Sequence, residues 1–207
     1  HPVSVEVIAW LSERKSLLAT LFLLLSLILY IKYVKSTKRL YLDISIVVYA
    51  LALLSKPIAV SLPVIIFLLD YFWYNRLKLS TILEKIPYFV LALIFTIIAY
   101  ISQENTATLT NTTQTSTILQ IILLVCYNNF FYLWKLFVPT QLSPFYSEVG
   151  AISLSNPIYL ISFIFTILII IFFIITRKKS KSLLFGYLFY IISILPTSGI
   201  IKVANAF

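Results

Sequence analysis

Pro157 to Thr176 reads PIYLISFIFTILIIIFFIIT, an apolar run that carries no charge. About 20 such residues, rising about 1.5 Å each, cross the ~30 Å hydrocarbon core of a bilayer. Asn156 and Pro157 open the run as cap and first-turn residue, and Arg177, Lys178, Lys179 and Lys181 close it. Similar runs lie on either side, at about 16–34, 40–54, 57–73, 87–101, 118–138 and 182–200. With a mean hydropathy of +1.01 and 11% charged residues, the chain reads as all-α, a polytopic transmembrane helix bundle. Neither a soluble domain nor a repeat of fixed period is visible.

Charge orients the spans, because loops rich in Lys and Arg stay on the cytoplasmic side. Lys32, Lys35, Lys38 and Arg39 place the joint after the first span inside, and Ser55 and Lys56 bring the second span back outside. The third ends in Tyr71, Phe72, Trp73 and Tyr74, an aromatic belt, before Arg76, Lys78 and Lys85 on the inner side. The fourth leads out to a Thr- and Asn-rich stretch at 103–117. A simple crossing by 118–138 would then leave the Arg177 cluster outside. Asn128, Asn129 and Lys135 interrupt this run, so it is expected to be interfacial or re-entrant and to leave 139–156 outside. The expectation is about six crossings plus that segment, against seven crossings with one inverted basic loop. Pro57, Pro87 and Pro157 mark helix starts, whereas Pro63 and Pro196 are expected to bend their spans.

A net charge of +9 on such a chain reports loop orientation rather than nucleic-acid binding. The absence of Met and the opening on His1 suggest a piece of a longer chain. Cys126 is the one cysteine and has no internal partner. No cluster with metal-ligand spacing is evident, so no cofactor is expected from these residues.

Function is sought where charge survives near lipid. Glu6 and Glu13 stand seven residues apart, so a helix over 3–15 would put them about 20° apart around its axis and about 10 Å apart along it. Arg14 and Lys15 follow directly. The plainer reading is an interfacial helix whose charges face water. Lys56 before Pro57 sets a cation beside an external helix start, where free amides and the helix dipole also favour an anion such as a lipid-linked phosphate. Its plainer reading is a snorkelling lysine that pins the helix end. Asp70 is expected to pair with Arg76 or meet interfacial water, and Asp43 stands similarly near Arg39.

Three segments carry a resemblance. His1-Pro2-Val3 with Glu6, Ala9-Trp10 and Ser12-Glu13-Arg14-Lys15-Ser16-Leu17-Leu18 resembles the "HPVHxEAVAWIxxRKxLL" block of the membrane O-mannosyltransferases that carry tetratricopeptide repeats and of their bacterial relatives. Ser55-Lys56-Pro57-Ile58-Ala59-Val60-Ser61-Leu62-Pro63, running on to Leu68-Leu69-Asp70-Tyr71-Phe72, is similar to the same family's "SKPxAVTLPxxLLLLDYF". Tyr132-Leu133-Trp134-Lys135-Leu136 with Pro139, Leu142-Ser143-Pro144 and Phe145-Tyr146 resembles its "YLWKLLxPxNLSxFYP". Ser4 stands where the family commonly has a second His.

The resemblance implies part of a multispanning GT-C glycosyltransferase in the bacterial inner membrane or the endoplasmic reticulum membrane. Such an enzyme takes a sugar, mannose or another hexose, from a polyprenyl or dolichyl phosphate and gives it to a protein hydroxyl on the outer or lumenal face. It implies Lys56 as donor-phosphate ligand with Arg14 or Lys15 assisting, Glu6 orienting those cations or the acceptor, and Lys135 and Tyr146 in an acceptor or donor loop. The general base, and any divalent metal, are expected in a loop before His1, and the repeats after the membrane region. A secondary transporter and a non-catalytic lipid-binding scaffold are the alternatives from other classes. The small number of glycines, 3, counts against a transporter's broken helices.

Overall fold

A computed structural model describes residues 5, 10, 13–76, 78–107, 117–140, 142–143, 150–176 and 180–197, with 103–107 and 197 as backbone only. The described residues are helical, without a strand, and divide into two compact units, one within 5–102 and one within 103–207. Among them, five helical stretches are long and apolar enough to cross a membrane: Arg14–Ser36, Pro57–Tyr74, Leu79–Ser102, Ile118–Phe137 and Pro157–Thr176. This is a membrane protein.

In the first unit α1 (Arg14–Ser36) turns at Thr37, which takes a left-handed φ of 58° and donates its N–H to Tyr33 O. The chain returns as α2 (Arg39–Ser55). Lys56 breaks the helix in an extended conformation, and Pro57 opens a 3-10 turn, Pro57–Ser61, that runs into α3 (Leu62–Leu69). Pro63 therefore sits in the first turn of α3, where its missing donor is harmless, instead of bending the middle of a span. Asp70–Tyr74 widens into a π-helix and stops at Asn75, whose φ of 49° an Asn tolerates. A short α4 (Leu79–Leu83) and the long α5 (Ile86–Ala107) complete the unit.

Lipid is as apolar as leucine, so burial of apolar side chains alone does not hold these helices together; close packing and internal hydrogen bonds do. Ala52 and Ala59, both fully buried, let backbones approach. Ser26 and Ser45 each donate to the other's carbonyl, at 2.8 and 2.7 Å, and Tyr88 donates to Ser45 Oγ at 2.7 Å. Tyr30, Tyr49 and Tyr88 fill the space between, while Leu21, Ile28, Val47 and Leu54 point outward. Two hydrogen bonds fix how α1 lies against the stretch from Lys56 to Asp70: Lys56 reaches Ser16, and Tyr30 reaches Asp70. Ser16 and Tyr30 are separated by as many residues as Lys56 and Asp70, so the two stretches run in the same direction, locked about 21 Å apart along the axis.

In the second unit α6 (Ile118–Phe137) is one unbroken helix, opened by a capping box between Thr117 and Gln120. Asn128, Asn129 and Lys135 do not interrupt it, so the chain does not reverse inside this run. Tyr127 meets Tyr159, Phe130 meets Phe165, and Trp134 and Phe137 share a groove with Ile169 and Phe173. The middle of α6 thus meets the start of α7 (Pro157–Thr176), and the end of α6 meets later residues of α7, so the two helices run in parallel. Asn156 caps α7 through Ile158 N–H at 3.1 Å. α8 (Lys181–Ile194) gives way to the 3-10 turn Leu195–Thr197, which contains Pro196, and the rest of the expected span, 198–200, lies outside the described residues.

Candidate functional site

Lys56 lies at the break between α2 and the Pro57 turn, and its ammonium crosses to the first turn of α1. Nζ donates to Glu13 Oε2 at 3.2 Å and to Ser16 Oγ at 2.6 Å, and the Ser16 hydroxyl in turn donates to Glu13 Oε2. Three polar groups from two elements close a triangle. The Ser16 hydroxyl bond, followed by the charges of Lys56 and Lys15, holds the Glu13 carboxyl below its usual range, against partial desolvation that pushes it up. Lys56 stays about one third exposed, 34%, and an ammonium has three donors, of which this triangle uses two. Arg14 and Lys15 begin α1 beside it, both exposed.

The backbone adds little to anion binding here. Pro57 has no N–H, Ala59 N–H donates to Lys56 O at 3.2 Å, and Ile58 is left as the one amide of the first three without an acceptor among the described residues. The expected contribution from a helix start therefore shrinks to a single donor, because the turn is 3-10 and not α. Side-chain cations carry the positive potential.

Glu6 and Tyr146 lie outside the described residues, as does most of the amphipathic stretch at 3–15. Lys135 is in α6, where Nζ donates to Thr140 O at 2.6 Å and lies 5.6 Å from the centre of the Phe131 ring. It belongs to the second unit, and Lys56 to the first.

A second polar centre joins Asp70, read at the end of the third span, to Lys85, read as a loop charge. Lys85 and Asp70 form an ion pair at 2.7 Å with both side chains buried, 1% and 0% exposed. Tyr30 donates to the same Asp70 Oδ2 at 2.7 Å, and Lys85 also donates to Thr81 O at 2.8 Å. Asp70 Oδ1 has no hydrogen-bond partner among the described residues. Asp70 thus does not pair with the Arg76 side chain or face water: Arg76 bonds Glu84 at 3.1 Å and lies over the Tyr33 ring. The π-turn carries the chain an extra step around at Asp70, and Arg76 gives Asp70 only its backbone N–H, at 3.2 Å. An acid inside an apolar run with a lysine one short helix later was the available signal. In the second unit Asn129, 4% exposed, donates its side-chain amide to Thr166 Oγ1 and Tyr187 Oη, both at 3.3 Å, and its backbone carbonyl accepts from the Tyr190 hydroxyl.

Among the described residues no three metal-ligating side chains gather. Comparison with protein families, with curated proteins and with solved structures finds no match.

Proposed function

We propose that this chain is the membrane part of a glycosyltransferase that moves a hexose from a polyprenyl or dolichyl phosphate to a protein hydroxyl, with the donor phosphate bound at Lys56. The observation that carries the reading is the triangle of Glu13, Ser16 and Lys56, in which two of the three resembling blocks, distant in sequence, meet in one polar site at a span end. Transfer of the sugar leaves negative charge on the lipid phosphate. The free donor of Lys56, with Arg14 and Lys15 beside it, supplies fixed positive charge where that phosphate would sit. Glu13 and Ser16 act on Lys56 alone: they hold the ammonium at the membrane boundary and keep its stem from wandering, so little reorganisation accompanies the reaction.

Removing one such donor costs about 10²–10³-fold in turnover. Lys56→Ala in the full-length protein should lower sugar transfer from a lipid-phosphate donor by about that factor per folded molecule, with membrane insertion retained. Equal activity per molecule would remove Lys56 from the site. The buried Asp70–Lys85 pair beside a π-turn favours a second reading, a secondary transporter, since ionisable pairs inside spans often mark transport paths. Uptake of a solute that depends on Asp70, without sugar transfer, would select it.

A further inference from the structure

The opposite end of the first unit carries a surface that the transfer reaction does not use. Tyr30 bound to Asp70, and Arg76 over the Tyr33 ring, bring the end of α1 to the end of the Pro57–Tyr74 stretch. Lys32, Lys35, Lys38 and Arg39 from the α1–α2 joint therefore share a membrane boundary with Arg76 and Lys78. The acids there are largely spent internally: Asp70 on Lys85 and Glu84 on Arg76, which leaves Asp43. Lys35, Lys38, Arg39 and Lys78 are exposed and make no ion pair among the described residues.

From this boundary a groove of about 450 Å³ runs between Phe67 and the line Ile82, Ile86, Phe89, Val90 and Leu93, walled almost wholly by carbon. Lys78, the residue before α4, stands one turn ahead of Ile82. Ile82 to Leu93 covers about 16 Å, half of the ~30 Å hydrocarbon core, which is the depth of one leaflet. Lys85 lines the groove while its ammonium is neutralised by Asp70, so the groove is apolar along its length, and the exposed Lys78, one turn before Ile82, is the unpaired cation that precedes it in the chain.

We propose that this groove binds an anionic phospholipid, one acyl chain along Phe67, Ile86 and Phe89 and the headgroup phosphate against Lys78. A zwitterionic lipid would fill the groove equally well, but its ammonium would sit among uncompensated cations. The inference stands apart from the reading of Lys56, which lies at the other boundary. A basic side chain at an anionic membrane surface is worth about a fivefold preference.

Native mass spectrometry of the full-length chain, released from micelles that hold equal phosphatidylglycerol and phosphatidylcholine with matched acyl chains, tests it. The parent should retain phosphatidylglycerol preferentially. Lys78→Gln should lower that ratio about fivefold, and Val90→Trp, which fills the groove from an exposed position, should lower retention of both lipids with the melting temperature kept. Phe89→Ala, which widens the groove without a steric load, serves as the second variant if Val90→Trp does not fold, and should loosen both lipids. An unchanged ratio in Lys78→Gln, full retention in the groove variants, or displacement of the lipid by inorganic phosphate alone would overturn the proposal.

Discussion

The buried pair of Asp70 and Lys85 gives the sharpest test of how the first unit holds together. Lys85→Met keeps the length of the stem and removes the ammonium. Asp70 then retains one donor, Tyr30 at 2.7 Å, on Oδ2, and none on Oδ1, in a site that is 0% exposed. Breaking a buried pair in this way costs about 3–5 kcal/mol, whereas replacing both partners by neutral groups is often close to neutral. Asp70→Asn together with Lys85→Met should therefore recover at least about 2 kcal/mol of the single-variant loss, a coupling of the size seen for neighbours in one network. Asn can still accept from Tyr30, so the contact that fixes the register of α1 survives in the double variant. Unfolding by SDS in mixed micelles, followed by far-ultraviolet circular dichroism, measures each difference. A loss below about 1 kcal/mol for Lys85→Met, or strict additivity in the double variant, would refute a desolvated ion pair at this position.

The Glu13 triangle has a pH signature. A carboxyl held below its usual range contributes stability that is present above the ordinary carboxylate value of about 4.3 and is lost as pH falls through the lowered value. Parent and Glu13→Gln melting temperatures, measured from pH 7 to pH 3, should therefore differ at the top of this range and converge at the bottom; a gap independent of pH would dismiss the pair as a contributor. The parallel course of α6 and α7 makes a topological prediction: cysteines placed at Thr112 and Ser180, with Cys126 replaced by Ser, should be labelled by a membrane-impermeant reagent from opposite sides. Labelling from one side only would mean that α6 and α7 cross as successive antiparallel spans.

Span positions were legible to within a few residues, because composition alone decides which segments enter lipid and proline marks where helices begin. The run at 157–176 is the case in point, with Asn156 capping it as expected. The segment at 118–138 was less so. Its asparagines read as interruptions, yet Asn129 turns inward and bonds Thr166 and Tyr187, since a polar group that faces neighbouring helices needs no break in its own. An interfacial or re-entrant segment was anticipated there, and the unbroken helix overturns the re-entrant form. That the helix runs whole and lies parallel to α7 depends on packing against that neighbour, which no local pattern encodes.

The candidate site divides in the same way. Lys56 and the cluster at Glu13 and Arg14 were visible as charges at span ends, because charge next to lipid is costly enough to stand out in any run of residues. Their meeting was implied by the resemblance and by no local pattern, since it depends on α1 and the Pro57 stretch lying side by side in parallel. Asp70 was noticed and given the wrong partner, and Lys85 was read as a loop charge. Local chemistry thus decided which segments are helices, where they start and which boundaries are basic. Tertiary structure decided which cation neutralises which acid, because electrostatic pairing in a low-dielectric interior depends on distance in space and not on separation along the chain.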